Sequence, residues 1–276
     1  MGTGQAGQQR YLVQSVARAI ELLKAFTQEE PELGLADIAR ITGLSKPTAF
    51  RLLATLQAGG LVSQSARTGS YSLGSEIAVL AAVRARQSDL LDRALPVMRL
   101  IRDDLDETTS LAIRVGDHRV HLYQLESLQT VRRTTEIGDR APLYAGAANR
   151  VLLAAMDDGE IAAYLQRTPL VAFTPRTTTD PDKLRAKIRR IRRDGYAESR
   201  GERDPAGAAV AAPIRDAAGD VVAVIYVNVP AERYTPRLRS RCVGAVVDGA
   251  DALSRELGFR PRTTTIGRAK PRGRTT

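Results

Sequence analysis

Between Leu35 and Leu53 the chain reads LADIARITGLSKPTAFRLL, and this stretch restricts the possible folds more than any other. Leu35, Ile38, Ala39 and Leu44 define an apolar stripe and predict a short helix ending near Gly43, a residue that enters the left-handed region without steric penalty. Ser45 and Pro47 predict that a second helix opens at once. Ser45 has the short hydroxyl side chain of an N-cap, and Pro47 falls in a first turn whose N–H groups lack intrahelical partners. Phe50, Leu53, Leu56 and Leu61 are expected to face inward, and Gly59 and Gly60 stop the helix. Ala39 is small where the two helices must cross closely. Two helices so joined have the geometry of a helix-turn-helix, whose second helix can enter a DNA major groove.

The flanking sequence fits the same unit. Val16, Ala19, Ile20, Leu23 and Phe26 predict a preceding helix, and LVSQS and SYSLG flank a turn at Arg67, Thr68 and Gly69. Those two strands are too short to stand alone, but packed against three helices they form a wing. No acidic residue lies between Asp37 and Leu73, although Asp and Glu occupy 31 of 276 positions. A carboxylate there would face duplex phosphates, one for about every 1.7 Å of helix axis. The residues expected to meet DNA are Ser45, Lys46, Thr48, Ala49 and Arg51, with Arg67 and Thr68 on the wing. Thr48, Ala49 and Arg51 are expected at base edges, Arg51 because a guanidinium can bridge guanine O6 and N7, while Lys46 and Arg67 hold phosphates. The formal net charge of +10 adds little to this argument, since Arg260, Arg262, Arg268, Lys270, Arg272 and Arg274 supply six of those charges in an acid-free tail. Residues 1–10 and the basic tail, 259–276, have no apolar face to bury and are expected to be disordered.

After a winged unit at 11–74, the Ala-rich SEIAVLAAVRAR predicts a linker helix over 75–88, and a second domain is expected over 89–258. Its first helix is expected to be entered at Pro96. A hairpin about Gly116 and Asp117 follows, then a strand in RRTTEIG, helices in AGAANRVLLAAM, EIAAYLQR and DKLRAKIRRIRRDG, strands in AGAAVAAPIRD and VVAVIYVNV, and a last helix from about Thr235 to Leu257. A sheet with helices on its faces fits this order, so the whole is an α+β chain with an N-terminal winged helix-turn-helix. In the basic run KIRRIRRDG, Leu184, Ile188 and Ile191 form the apolar stripe, which leaves the arginines on a solvated face. The single cysteine, Cys242, excludes an intrachain disulfide framework and is read as a small apolar filler. No run approaches the roughly 18 apolar residues of a membrane helix, and a soluble, cytoplasmic protein without a membrane partner is expected. His118 and His121 are the only histidines and are read as surface or sheet residues. With no phosphate-binding loop, nucleophile elbow or metal-spaced cluster beside them, neither an enzyme nor a cofactor is expected.

SVARAIELLKAF, LADIARITGLSKPTAFRLLATLQAGGLV, YSLG, GDRAPLYAGAANRVLLA and AVAAPIRDAAGDVVAVIYVNVP, taken in this order, resemble the IclR family of bacterial transcription regulators over about Tyr11 to Gly258. The resemblance implies double-stranded operator DNA as partner, a dimerising linker helix, a C-terminal GAF-like domain that binds a small effector, assembly as a homodimer or dimer of dimers, and action as a repressor or activator, here read as a repressor of a metabolic operon. It places the effector pocket at Leu143, Tyr144, Ala147 and Ala148, at Ser199 in a loop, at Ala209, and at Tyr226 and Asn228, which share one sheet face. Backbone N–H groups near Ala147 are expected to receive an anionic or carbonyl oxygen. Where the family often has LPLHATAxGKAxLA this chain has APLYAGAANRVLLA, so Tyr144, Asn149 and Arg150 replace His, Gly and Lys; where it often has ALSVSGP this chain has VIYVNVP. The alternative is an architectural DNA binder whose second domain only oligomerises. Tyr226 and Asn228 within an apolar strand oppose it, and their ring, hydroxyl and amide suit a flat, aromatic or amide-bearing effector.

Overall fold

A computed structural model describes residues 13–27, 29–86 and 90–260, and the chain divides into two compact units at Asp89. The expectations for residues 1–10 and for the tail beyond Arg260 lie outside the described residues.

In the first unit α1 (Gln14–Leu23), α2 (Leu35–Thr42) and α3 (Lys46–Ala58) precede a two-stranded antiparallel wing, β1 (Val62–Gln64) and β2 (Tyr71–Leu73), and α4 (Ser75–Arg86). The turn between α2 and α3 has the expected chemistry. Gly43 takes φ +67° and its N–H bonds back to Ala39 O. Ser45 caps α3, its Oγ accepting from the Thr48 N–H at 3.4 Å and lying 2.9 Å from Thr48 Oγ1. The core holds Leu22, Ala25, Phe26, Leu33, Ile38, Leu53, Leu56, Val62 and Tyr71. Two expectations change by a rotation of the helix. Val16 and Ile20 are exposed while Leu22 is fully buried, and on α3 Phe50 is exposed whereas Ala49 is fully buried. Ala49, Leu53 and Leu56, spaced by four and three, form the seam of α3, and a methyl group is what fits at its start.

The second unit is a six-stranded antiparallel sheet in the order β5-β4-β3-β8-β7-β6. Its strands are β3 (Thr108–Val115), β4 (His118–Leu125), β5 (Arg140–Pro142), β6 (Ala197–Arg200), β7 (Gly207–Arg215) and β8 (Val221–Pro230). One face packs on α5 (Leu90–Leu105) and α9 (Pro236–Glu256) through Leu111, Ile225, Val227, Val246 and Leu253. The other packs on α6 (Ala147–Ala154), α7 (Asp158–Arg167) and α8 (Pro181–Asp194) through Ala112, Ala211, Val224, Leu152 and Ile188. Both faces are covered, which explains why β8 reads as a near-continuous apolar run. Cys242 is fully buried among the α9 residues, and burial pushes its thiol up to about 12, with the Glu107 charge adding to the shift.

Three elements differ from expectation. RRTTEIG forms no strand; the neighbouring edge strand is β5. Helix α5 starts at Leu90 and contains Pro96, because burial of Leu90 and Ala94 offsets the hydrogen bond that proline removes. Ser199 lies on β6, paired with Ala209, not in a loop.

Candidate functional site

On the first unit the polar set surrounds the exposed side of α3 and the wing turn. Lys46, Arg51, Arg67 and Thr68 are exposed and Thr48 is half-buried. Arg51 projects opposite the buried seam of Ala49, Leu53 and Leu56. Thr68 Oγ1 lies 2.7 Å from Ser70 Oγ, which donates to Glu32 at 2.9 Å, so the wing turn is tied to the loop before α2. Ala49 has no surface to offer a base edge. Ser45 and Thr48 satisfy each other at the helix start, leaving Lys46, Arg51 and Arg67 as the long cationic side chains that this surface presents.

On the second unit strand register assembles the other set. Ser199, Ala209, Asn228 and Thr108 form one row across β6, β7, β8 and β3; Ala197, Ala211, Tyr226 and Ser110 form the next. These side chains share the face that packs under the N-terminus of α6. Asn228 Nδ2 donates to Ser110 Oγ at 3.3 Å. Tyr226, 4% exposed, has its hydroxyl 2.8 Å from His121 Nδ1. His121 lies in the sheet, on β4, and is fully buried, and burial together with the charge of Arg119 lowers its pKa to about 4. Two residues earlier on β4, Arg119 is 3% exposed and bonds Asp139 through Nη2.

Above this floor, Gly146 adopts φ +102° and starts α6 with Ala147 and Ala148 buried. The Gly146 N–H donates to Glu202 Oε2 at 3.2 Å and the Ala147 N–H to Ser199 Oγ at 3.1 Å. Glu202 is itself buried and ion-paired with Arg150 and, at 3.0 Å, with Lys187. Thr174 and Thr177 hold its loop through the carbonyls of Gly201 and Glu202, each at 2.6 Å. The helix start therefore already carries a carboxylate of this chain. Leu143 is buried, its N–H donating to Tyr164 Oη at 2.9 Å. Tyr144 spends its hydroxyl on both backbone groups of Val171 and stacks its ring on Phe173, centroids 5.9 Å apart. The Arg203 guanidinium lies 5.7 Å from the Phe173 centroid. Asn149 bonds Pro142 O and Ala145 O, both at 2.7 Å. All three residues that depart from the family pattern in this segment thus have structural partners in this chain: Tyr144 holds Val171, Asn149 holds the backbone of Pro142 and Ala145, and Arg150 holds Glu202.

Sequence reasoning missed Arg119, His121, Ser110, Glu202 and Arg203. The i, i+2 spacing of Arg119 and His121 in HRVHL puts them on one strand face, but which face is set by pairing with a distant strand. Among the described residues there is no group of three or more His, Cys, Asp or Glu that could hold a metal ion, and no helix long and apolar enough to cross a membrane.

A winged helix-turn-helix followed by an α/β domain of this topology defines a class of DNA-binding transcription regulators, which are not enzymes. The chain belongs to the IclR family: residues 15–66 match the IclR helix-turn-helix domain and residues 83–255 the C-terminal domain of the bacterial transcriptional regulator IclR. It is 33% identical over 245 residues to the HTH-type transcriptional regulator KipR of Bacillus subtilis, covering 89% of this chain and 97% of that one. It is 31% identical over 248 residues to the HTH-type transcriptional repressor AllR of Salmonella typhi, covering 90% and 91%. Among solved structures, an IclR transcriptional regulator from Alicyclobacillus acidocaldarius superimposes with a TM-score of 0.80 at 28% identity, covering 90% of this chain and 100% of that one. An IclR homologue from Microbacterium hydrocarbonoxydans complexed with 4-hydroxybenzoate does so with a TM-score of 0.75 at 26% identity, covering 88% and 99%.

Proposed function

We propose that this regulator is a ligand-responsive repressor of a metabolic operon, with a winged DNA-binding domain over 11–74, a linker helix over 75–88 and a GAF-like effector domain over 89–258. In this reading it acts in the cytoplasm as a dimer or dimer of dimers. Val79 and Leu80, exposed on α4, supply apolar surface for pairing. Arg51 reads a base edge, and Lys46 and Arg67 hold phosphates. The effector is a compact aromatic metabolite bound over Tyr226 and Asn228.

One observation carries the effector reading: Ser110, Tyr226, His121, Asn228 and Thr108 line up on one face of an otherwise apolar sheet. A domain that only oligomerised would gain nothing from burying so many hydrogen-bonding groups there. The 4-hydroxybenzoate complex of one relative and the repressor role of another support the same direction.

Thermal-shift screening of the full chain tests it. A ligand at a hundred times its dissociation constant adds about 2.7 kcal/mol of stability if it binds only the folded state. Ligands so found should release operator DNA, and Asn228→Ala should weaken that response by about 1 to 3 kcal/mol. A broad library with no hit, beside operator binding that no metabolite alters, would favour an architectural role.

A further inference from the structure

We propose that the effector is an anion whose carboxylate is held by Arg119 and His121 on β4, under Arg203, rather than by the N-terminus of α6; this rests on reading the β3–β8–β7 face as the effector pocket. The helix start is an unpromising place for a second anion. The Gly146 N–H is already bonded to the buried Glu202 carboxylate and the Ala147 N–H to Ser199, and an incoming carboxylate would meet Glu202 at close range in a low-dielectric interior.

The β4 side offers the opposite arrangement. Among the described residues, Arg119 Nη1 and His121 Nε2 are buried polar atoms without a hydrogen-bond partner. Each belongs to a side chain at least 97% buried, and the two residues sit two apart on the strand face shared with Ala112. Their other polar atoms are engaged, Arg119 Nη2 by Asp139 and His121 Nδ1 by the Tyr226 hydroxyl. In the tautomer whose Nδ1 accepts the Tyr226 proton, which the proposal assigns to His121, the neutral ring carries its hydrogen on Nε2 and both unmet atoms are donors. Buried donors of this kind are costly unless something accepts from them, and a carboxylate accepts from both.

Charge points the same way. The Arg119 charge acts on His121, Arg203 and Tyr226, and Asp139 is the one carboxylate acting on all three. Of the two guanidinium groups, Arg119 is bonded to Asp139, while Arg203 lies against the Phe173 ring. The surrounding surfaces fix the rest of the ligand. Ala147, Ala148, Ala209 and Ala211 put nothing larger than a methyl group over this part of the sheet, and the stacked Tyr144–Phe173 pair lies beside Arg203. A compact aryl carboxylate satisfies both halves.

Calorimetry on the full chain with 4-hydroxybenzoate and 4-hydroxybenzamide, which share shape and differ in charge, tests the anchor, with benzoate, glyoxylate and pyruvate as further carboxylates. The acid should bind at least about tenfold tighter than the amide, as expected when charge-assisted hydrogen bonds replace neutral ones. Arg119→Gln and His121→Gln should bring the two affinities together. Arg203→Met, at an exposed position, should weaken the acid more than the amide. Equal binding of acid and amide by the unaltered chain, or a preference for acid that survives all three substitutions, overturns the anchor and leaves the pocket standing, which Asn228→Ala then verifies by weakening both probes. If none of the carboxylates binds, the anchor falls, and the pocket reading falls with it only if the amide and the wider metabolite screen also fail.

Discussion

His121 carries a cost that pH exposes. Burial, and then the neighbouring Arg119 charge, hold its folded-state pKa at about 4 against 6.5 when solvated. The folded protein therefore keeps the ring neutral between these values while the unfolded chain takes up a proton. Stability is fully present above pH 6.5 and falls as pH drops towards 4, by up to about 3 kcal/mol at about 1.36 kcal/mol per pH unit. Subtracting the urea-unfolding profile of His121→Gln from that of the unaltered chain should isolate this slope, and parallel profiles would contradict it. On the other unit, Arg51→Ala should cost about 1 to 3 kcal/mol and relax sequence preference, whereas Lys46→Ala should weaken all sequences alike and lower the salt slope by about one. Operator and scrambled duplexes titrated at several salt concentrations separate the two; uniform loss in both variants would remove Arg51 from the base edge. Lys46 and Arg51 were legible because charge and a helix period decide their exposure. Ala49 was not, since a small residue in a helix suits surface and seam equally, and His121 was not, since its environment depends on Tyr226, 105 residues away.

At the scale of elements, two glycines of the winged unit do different work. Gly43 needs φ +67°, yet an added Cβ there meets nothing within 4 Å, so Gly43→Ala should cost only the left-handed strain, about 1 to 2 kcal/mol. A Cβ on Gly74 would stand 2.1 Å from Gly60 O, at the point where β2 leaves the wing against the end of α3. Backbone cannot yield there as a flexible side chain would, and the Gly74 N–H also bonds Leu61 O at 2.9 Å. Gly74→Ala should therefore cost more than Gly43→Ala, at least about 2 to 3 kcal/mol, and should speed hydrogen exchange in the wing and α3. Equal stability of the two variants would show that the wing can shift away. The elements most legible in sequence were those with a full helical stripe, such as α8 with Leu184, Ile188 and Ile191, or with strong punctuation, such as the Gly43–Ser45 turn and the Thr235 cap of α9. Edge strands were the least legible. β6 and β5 have four and three residues, too few for an alternating pattern, and RRTTEIG has strand-like composition without a partner strand to pair it.

For the whole molecule the distribution of charge matters more than its sum. Of the net +10, six charges lie from Arg260 onward, so the rest of the chain carries only +4, and the acid-free stretch from Ile38 to Leu73 holds its share within a nearly balanced body. Phosphate attraction from a basic tail is indifferent to sequence. In the function proposed above, discrimination rests instead on side chains held on α3. Removing residues 260–276 should then lower affinity for operator and non-operator DNA by the same factor and flatten the salt dependence, by about 0.9 for each phosphate that the tail neutralises. The ratio of the two affinities should stay constant at matched salt. Filter-binding or fluorescence titrations across a salt series, with truncated and full-length chains side by side, measure both quantities. A truncated protein that kept its salt slope but lost the ratio would mean that the tail reads sequence, for instance as an arm in the minor groove, and that the specificity of the α3 surface is incomplete without it.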